Sequence, residues 1–426
     1  MDPRLNISLL AINYPPEPTG IAPYTGALAA GLNRLGHDVT VNASHPHYPA
    51  WRIDDGYGQW TRVEDLDGVH VRRALHYVPH SPRGIRRLLS ELTFGVRLVF
   101  AHWGRPKVVI AVSPSLFSTF LAVLRLRCTP RRPVLIVWVQ DIYTLGLAET
   151  GEAGGLIQRI TRWVESRTLR SADEVVVIHR RFADYVRQEF GVEATRIDVV
   201  RNWTHLPPSG PVDRAAAREA LNWPRQVALA VHTGNMGTKQ GLENLVDAAR
   251  IADQRGAAVH FVLVGDGGER RSLEERAHGI SRITFVDPLG EKEFRSALAA
   301  ADVLIVNEKP GVSGMAVPSK LTSYFDAGRP IAAATDASGT TASEIAAAGA
   351  GVVVPAGEPG ALLDAILELN ANAEASAQFG QNGRRYREEV LDERVAIERW
   401  ASVIGATISK RRLGRGVNRP GNAGGS

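Results

Sequence analysis

One stretch sets glycines and a lysine between two apolar patterns: VALAVHTGNMGTKQGLENLVDAAR, Val227 to Arg250. Val227 to Val231 read as a buried strand, and Leu242, Leu245, Val246 and Ala249 have helical spacing. Between them lie Gly234, Asn235, Gly237, Lys239 and Gly241. A glycine loop entering a helix aims backbone N–H groups and the positive end of a helix dipole at one point, which suits a phosphate. Lys239 adds a full charge there. An ordinary strand-to-helix turn with a surface lysine carries the same residues. A second such place follows, where Gly311 and Gly314 precede a helix beginning near Val317, with Lys320 in its first turn. A cation there opposes the dipole and calls for a phosphate or carboxylate partner. Two phosphate-suited loops in one domain favour a diphosphate, and neither has the GxxxxGK[ST] pattern.

Other candidates lie earlier in the chain. The segment SHPHYPAWRIDDGYGQW reads as a long loop holding His45, His47, Tyr48 and Trp51. The two histidines have no third ligand at a recognised metal spacing. Such rings on a loop are suited to stacking on sugars. Asp141 and His179 each follow an apolar run, Val134–Val139 and Glu174–Ile178. In a parallel sheet that position borders the ligand crevice, and each residue could equally cap a helix.

The elements that position these residues alternate. A strand (Ile7–Ile12), a proline-glycine loop (NYPPEPTGIAPYTG), a helix from about Tyr24 to Leu35 and a strand (His37–Asn42) form a βαβ unit. Strands at Val108–Val112, Val134–Val139, Glu174–Ile178 and Asp198–Arg201 continue it. After the proline cluster WTHLPPSGPVD, strand–helix alternation resumes through VLVGDG, which includes Gly265, ITFVDPLG, which includes Pro288 and Leu289, and DVLIVNE. The fold class is therefore α/β with two doubly wound sheets: residues 1–205, residues 206–385, terminal helices at 386–408 and a basic disordered tail at 409–426.

Composition is that of a soluble globular chain, and the single Cys128 fits a reducing compartment. The formal charge is only +5, but Arg72, Arg73, Arg83, Arg86, Arg87, Arg97, Arg105, Lys107, Arg125, Arg127, Arg131 and Arg132 face one acid, Glu91, between His70 and Leu135. Residues 81–103 read as an amphipathic helix. Its basic face is either solvated over a packed core or laid on anionic lipid. No nucleic-acid reading motif accompanies the arginines.

NYPPEPTGIAPYTGALAAGLNRLGHDVTV, HPHYPAW, WVQDIY, TGNMGTKQGLENLVDAA, VLVGDG and VPSKLTSYFDAGRPI together resemble a family 4 retaining glycosyltransferase of the GT-B fold, over nearly the whole chain. The bacterial branch that includes colanic-acid-type fucosyltransferases and O-antigen amino-sugar transferases is the one resembled. The resemblance implies two facing Rossmann-like domains with a cleft between them, and a nucleotide-diphosphate sugar (GDP- or UDP-linked) as co-substrate, bound chiefly by the second. It places the donor against Gly20, Gly234, Asn235, Lys239, Gly265, Pro288, Leu289, Gly314, Met315, Ala316, Lys320 and Ser323, with Asp141 and Lys239 as catalytic groups. Asn235 stands where many relatives carry an arginine, and Lys320 is the candidate replacement. Met315 and Ser323 stand where many carry glutamates. His47, Tyr48, Trp51 and His179 fall to a saccharide acceptor. Leaving-group chemistry of this kind requires no metal and no other cofactor, and the basic, amphipathic first half is expected to serve a lipid-linked acceptor from the cytoplasm, peripheral on anionic membrane through residues 72–132. A sugar-nucleotide epimerase and a silent nucleotide-sugar-binding scaffold are the alternatives.

Overall fold

The computed structural model describes residues 4–18, 20–81, 84–145, 155–204, 210, 212–311 and 320–417. The chain divides into two units, Met1–Trp203 with Glu393–Ser426, and Thr204–Asp392.

The first unit is built on strands β1 (Asn6–Ala11), β2 (Asp38–Ser44), β3 (Thr61–Leu66), β4 (Val69–Ala74), β5 (Val108–Ser113), β6 (Val134–Val139), β7 (Glu174–Val177) and β8 (Ile197–Val199). They form one sheet in the order β3-β4-β2-β1-β5-β6-β7-β8. All neighbours are parallel except β3 and β4. β5 and β6 are buried at every position, as expected of strands covered on both faces. Helices α1 (Ala22–Arg34), α2 (Gly84–Phe100), α3 (Leu116–Arg127), α4 (Gly155–Ser171) and α5 (Arg180–Phe190) accompany it.

The β3–β4 hairpin is absent from the sequence-based expectation. Its signal is Asp67-Gly68, both at positive φ (51° and 76°), between residues of alternating polarity. The helix expected over 81–103 spans only Gly84–Phe100. Arg105 at φ 52° and Gly104 at φ 71° turn the chain, and Trp103 is buried with its ring N–H on the Leu98 carbonyl, 3.1 Å. The inner face of α2 carries Ser90, Glu91, Phe94, Gly95 and Leu98. A Cβ on Gly95 would lie 2.8 Å from Ser118 Cα, so α2 and α3 meet there without room for a side chain.

The second unit has strands β9 (Ala228–Thr233), β10 (Val259–Val264), β11 (Ile283–Val286), β12 (Val303–Asn307), β13 (Ile331–Ala334) and β14 (Gly351–Val354), all parallel. Their order, β11-β10-β9-β12-β13-β14, is the doubly wound 3-2-1-4-5-6 arrangement, with its switch point between β9 and β12. Helices α6 (Arg214–Ala220), α7 (Glu243–Arg255), α8 (Arg270–Arg276), α9 (Glu291–Ala300), α10 (Lys320–Ala327), α11 (Thr340–Ala348), α12 (Pro359–Ala371) and α13 (Ala373–Glu389) complete it. α13 stays with this unit, Tyr386 lying edge-on to Phe325 at 5.6 Å, so residue 385 falls inside a helix.

The last helix, α14 (Glu393–Val417), belongs to the first unit. Ala396, Trp400, Val403 and Ile404 enter that unit's core, and Trp400 meets Trp138 at 5.0 Å. The helix runs through residues 409–417, which the sequence reading assigned to a disordered tail. Lys410 pairs with buried Glu174 (3.1 Å) and Arg411 with Asp173 (3.2 Å), contacts that composition does not reveal.

Gly31 of α1 marks the closest approach to α14. A Cβ there would stand 2.1 Å from Ile397 Cδ1. Overpacking of this kind costs about 1–3 kcal/mol, against about 1 kcal/mol that alanine gains over glycine in a helix. Gly31→Ala is therefore expected to lower the urea midpoint, and by less in an Ile397→Val background, which lacks the offending methyl. Equal losses in both backgrounds would contradict this packing.

Candidate functional site

In the second unit the candidate residues gather at the carboxyl ends of β9, β10 and β12, where an open α/β sheet binds its ligand. The loop after β9 packs on the loop after β10 at backbone distance. Gly265 has φ 140°, and a Cβ on it would sit 2.0 Å from the Gly234 carbonyl oxygen. Only glycine fits there. Gly234 N–H donates to Val264 O (2.9 Å) and Met236 N–H to Asp266 O (2.8 Å), while the Met236 side chain is fully buried as an anchor.

Two features of this loop are absent from the sequence reading. Lys239 lies exposed in a 3₁₀ turn, Thr238–Gln240, and Gly241 (φ 55°) reverses the chain before α7. The loop also spends much of its expected N–H cradle internally: besides Gly234 and Met236, Gly237 N–H donates to Gln240 Oε1 (3.2 Å) and Gln240 N–H to Gly237 O (3.1 Å). Both changes follow from one tether. The buried Asn307 amide, at the end of β12, donates to Gln240 O (2.7 Å) and Gly241 O (2.8 Å), and Lys309 N–H donates to Lys239 O (3.0 Å). Asn307 was not among the expected residues, although an asparagine closing an all-apolar strand is the available signal.

A second positive charge comes from Lys320, the first described residue of α10. Its ammonium is 3.3 Å from His232 Nε2 and would lie 3.6 Å from a Cβ on Gly234. His232 is fully buried and its Nδ1 faces Ile305 O at 3.2 Å. Burial, then the Lys320 charge, holds its pKa far below the usual histidine value. Neutral His232 therefore donates from Nδ1 and accepts at Nε2. Burial also pushes Lys320 down to about 8, opposed by the Glu308 carboxylate, which accepts from the Thr341 and Thr335 hydroxyls. The sequence called for a compensating partner to Lys320. The partner present is Glu308, acting against a larger desolvation cost. Asn235 is exposed in the loop after β9, Ser323 is buried on α10, Pro288 is exposed after β11 and Leu289 packs on the core. Gly314, Met315 and Ala316 lie outside the described residues, as does Arg83.

In the first unit, the loops after β1 and β2 are joined by a residue that sequence reasoning missed. Glu17 is 3% exposed. Its Oε1 accepts from the N–H groups of His47 (2.8 Å) and Tyr48 (3.0 Å) and lies 3.3 Å from His47 Nδ1. Gly20, at φ 69°, has the Tyr48 ring 3.1 Å from where a Cβ would be. Trp51 lies edge-on to His47 (5.6 Å) and Tyr48 (6.3 Å), so Gly20, His47, Tyr48 and Trp51 form one cluster. His45 Nε2 is spent on Gln59 O (2.7 Å) and His47 Nδ1 on His45 O (2.9 Å). His76 packs on His47 at 5.3 Å and is pushed down to about 3, by burial first and then by the neighbouring histidines.

The structure does not add His179 to this cluster. Its ring is buried, and Nδ1 accepts from Arg181 N–H (3.1 Å) as the N-cap of α5, the capping role that the sequence left open. Asp141 is exposed at the end of β6. Beside it Gln140 exchanges two hydrogen bonds with Asn202 (3.1 and 2.7 Å), and buried Glu165 accepts from the N–H groups of Tyr143 and Thr144.

Comparison with known proteins follows the same division. The family described as "Glycosyl transferase 4-like domain" matches residues 19–203, and that described as "Glycosyl transferases group 1" matches residues 228–372. The putative colanic acid biosynthesis glycosyl transferase WcaI of Escherichia coli K12 is 31% identical over 338 residues, 76% of this chain and 82% of its own. The probable glycosyltransferase WbjE of Pseudomonas aeruginosa is 26% identical, covering 78% of this chain and 82% of its own. Among solved structures, sucrose-phosphate synthase from Thermosynechococcus elongatus superposes with a TM-score of 0.65 at 20% identity, covering 97% of this chain and 99% of its own. Anabaena Alr3699/HepE in complex with UDP gives 0.66 at 16% identity, covering 94% and 100%.

The Lys320 environment carries a pH signature. An ammonium with a pKa near 8 is charged below that pH and neutral above it. Nucleoside-diphosphate affinity should therefore fall as pH rises through about 8, and the fall should move to higher pH in Lys320→Arg, which stays charged. Calorimetric titrations between pH 7 and 9.5 check this, and an affinity unchanged across that range would contradict it.

Proposed function

The chain belongs to the family 4 glycosyltransferases of the GT-B fold class, of the WcaI type, and from that premise we propose that it moves a sugar, with retention, from a nucleoside-diphosphate sugar to a saccharide acceptor in cell-surface polysaccharide or glycolipid synthesis. The observation that carries the donor half is the half-buried Lys320 beside neutral His232 and Gly234, at the switch point of a Rossmann-ordered sheet. Lys320 and Lys239 meet the diphosphate, Pro288 and Leu289 lie beside the base, and Ser323 with Gly314, Met315 and Ala316 serves the ribose and sugar. HepE is described in complex with UDP, which supports a nucleoside diphosphate as the carrier here.

The chemistry is a same-face substitution. The bond from the sugar's anomeric carbon to the leaving phosphate oxygen breaks while the acceptor oxygen bonds to that carbon, and the acceptor proton passes to the departing phosphate. The products are a glycoside and a nucleoside diphosphate. Lysine charge stabilises the negative charge that develops on the leaving group. As the resemblance implies, Gly20 meets the donor diphosphate and Asp141 lies near the reacting sugar; the rings of Tyr48 and Trp51 present surfaces on which a saccharide can stack, while His47, 2% exposed, packs against Trp51 and presents none. Glu17 fixes that loop.

We propose further that the acceptor is lipid-linked. Among the described residues no helix is long and apolar enough to cross a membrane. On α2, Ile85, Leu89, Val96 and Phe100 are exposed, Phe100 by 84%. On α4, Leu156, Ile157, Ile160 and Trp163 are exposed too, and Trp163 meets Phe120 of α3 at 5.7 Å. Exposed large side chains on neighbouring helices, with arginines between them, suit a bilayer interface of anionic lipid.

Calorimetric titration with GDP, UDP, ADP and dTDP tests the donor site. One nucleotide should bind, and Lys239→Ala should weaken it about tenfold to a hundredfold, the worth of a charge-assisted contact. Failure of all four to bind would overturn the reading. Sedimentation with anionic vesicles tests the membrane face: Phe100→Ser with Leu156→Ser should leave the protein in the supernatant, and undiminished pelleting would contradict the assignment.

A further inference from the structure

At the amino-terminal edge of the first unit's sheet, opposite the strand ends that carry Glu17, His47 and Asp141, lies an open groove of about 400 Å³. Arg132 precedes β6, Arg170 ends α4, Arg196 precedes β8, and Lys410 and Arg411 come from α14. Four separate segments thus bring five cations to one groove.

The acids present are already committed. Asp173 accepts from Arg132 (2.6 Å), Arg411 (3.2 Å) and Leu135 N–H (2.8 Å). Glu174 takes Lys410 at 3.1 Å and the Thr407 hydroxyl at 3.3 Å. Arg170 and Arg196 have no carboxylate partner among the described residues. The Arg196 guanidinium is pinned by the carbonyls of Arg170 (3.0 Å) and Ala172, which orient it without cancelling its charge. Arg170 also meets the negative end of the α4 dipole, but that favours a cation by only about 0.3–1 kcal/mol. The sequence beyond Glu398 holds no acid and adds Arg412, Arg415 and Arg419. Folding therefore sets two guanidiniums without a carboxylate partner among the described residues beside three cations that share two carboxylates.

The lining is selective as well as basic. Forked guanidiniums suit phosphate oxygens. No aromatic ring lines the groove, so nothing there stacks on a nucleobase. We propose that this groove is a phosphate-binding site separate from the donor site, taking a phosphate or diphosphate group either free in solution or on a lipid headgroup.

The test uses the full chain at low ionic strength, with labelled inorganic diphosphate and, separately, labelled water-soluble dibutyryl phosphatidic acid in equilibrium dialysis, so that no bilayer is present for the α2–α4 face. Arg170→Ala/Arg196→Ala should lower diphosphate or soluble phosphatidic acid binding at least tenfold, whereas Arg170→Lys/Arg196→Lys, which keeps the charges, should retain most of it. Lys239→Ala should leave this binding in place, which separates the groove from the donor loop. Thermal melts show whether the alanine variant folds. Diphosphate binding removed by the alanine pair identifies a free anion as ligand, and soluble phosphatidic acid binding alone removed by it identifies a headgroup. The proposal is overturned if neither probe binds, or if binding survives the alanine pair, or if the lysine pair loses it as fully as the alanine pair does.

Discussion

Burial of one ammonium sets the terms for the second unit. Taking a lysine out of water costs several kcal/mol unless an opposing charge offsets it. Lys320 carries that cost with a neutral histidine at 3.3 Å and a carboxylate, Glu308, whose own lone pairs are shared with two threonine hydroxyls. Burial outweighs Glu308 and lowers the Lys320 pKa to about 8. The proposed diphosphate would bring a second opposite charge to it. The features around it keep that amine in place: His232 fixed in one tautomer by the Ile305 carbonyl, Gly234 without a side chain, and the Gln240–Gly241 turn tied to Asn307.

The two sheets solve the same problem with different loops. Both place the first strand of the unit at a switch point and carry the candidate residues on the carboxyl ends of neighbouring strands. In the second unit the loops are locked by backbone contact, which only glycine permits at Gly265. In the first, the lock is a buried carboxylate, with Glu17 holding the N–H groups of His47 and Tyr48. A carboxylate that accepts successive amides orders the loop strongly, because charge-assisted hydrogen bonds are roughly twice the strength of neutral ones.

Much of this was legible in the sequence. Apolar runs such as Val134–Val139 and Val303–Asn307 are strands because they are buried on both faces, and continuous hydrophobicity reads well. Gly234 and Gly265 announced tight turns. The β3–β4 hairpin was missed because its outer strand is half exposed and polar, leaving Asp67-Gly68 as its only strong mark. The 3₁₀ turn that carries Lys239 was not legible, since it depends on Asn307, 67 residues from Gln240. Glu17 carried no local signal: an acid in a proline loop declares itself only when its amide partners, 30 and 31 residues away, are in place. His179 was readable both as a cap and as a site residue, and only geometry shows the cap.

The central claim, that a donor diphosphate completes the environment of Lys320, is tested most directly by NMR titration of the protein carrying 13Cε-labelled lysine, with and without the nucleoside diphosphate that binds. The account predicts a Lys320 midpoint near 8 in the nucleotide-free protein and a clear upward shift when the nucleotide is bound, because a dianion beside the amine favours its charged form. The same midpoint in both states, with the nucleotide demonstrably bound, would show that the diphosphate lies elsewhere and would contradict the assignment.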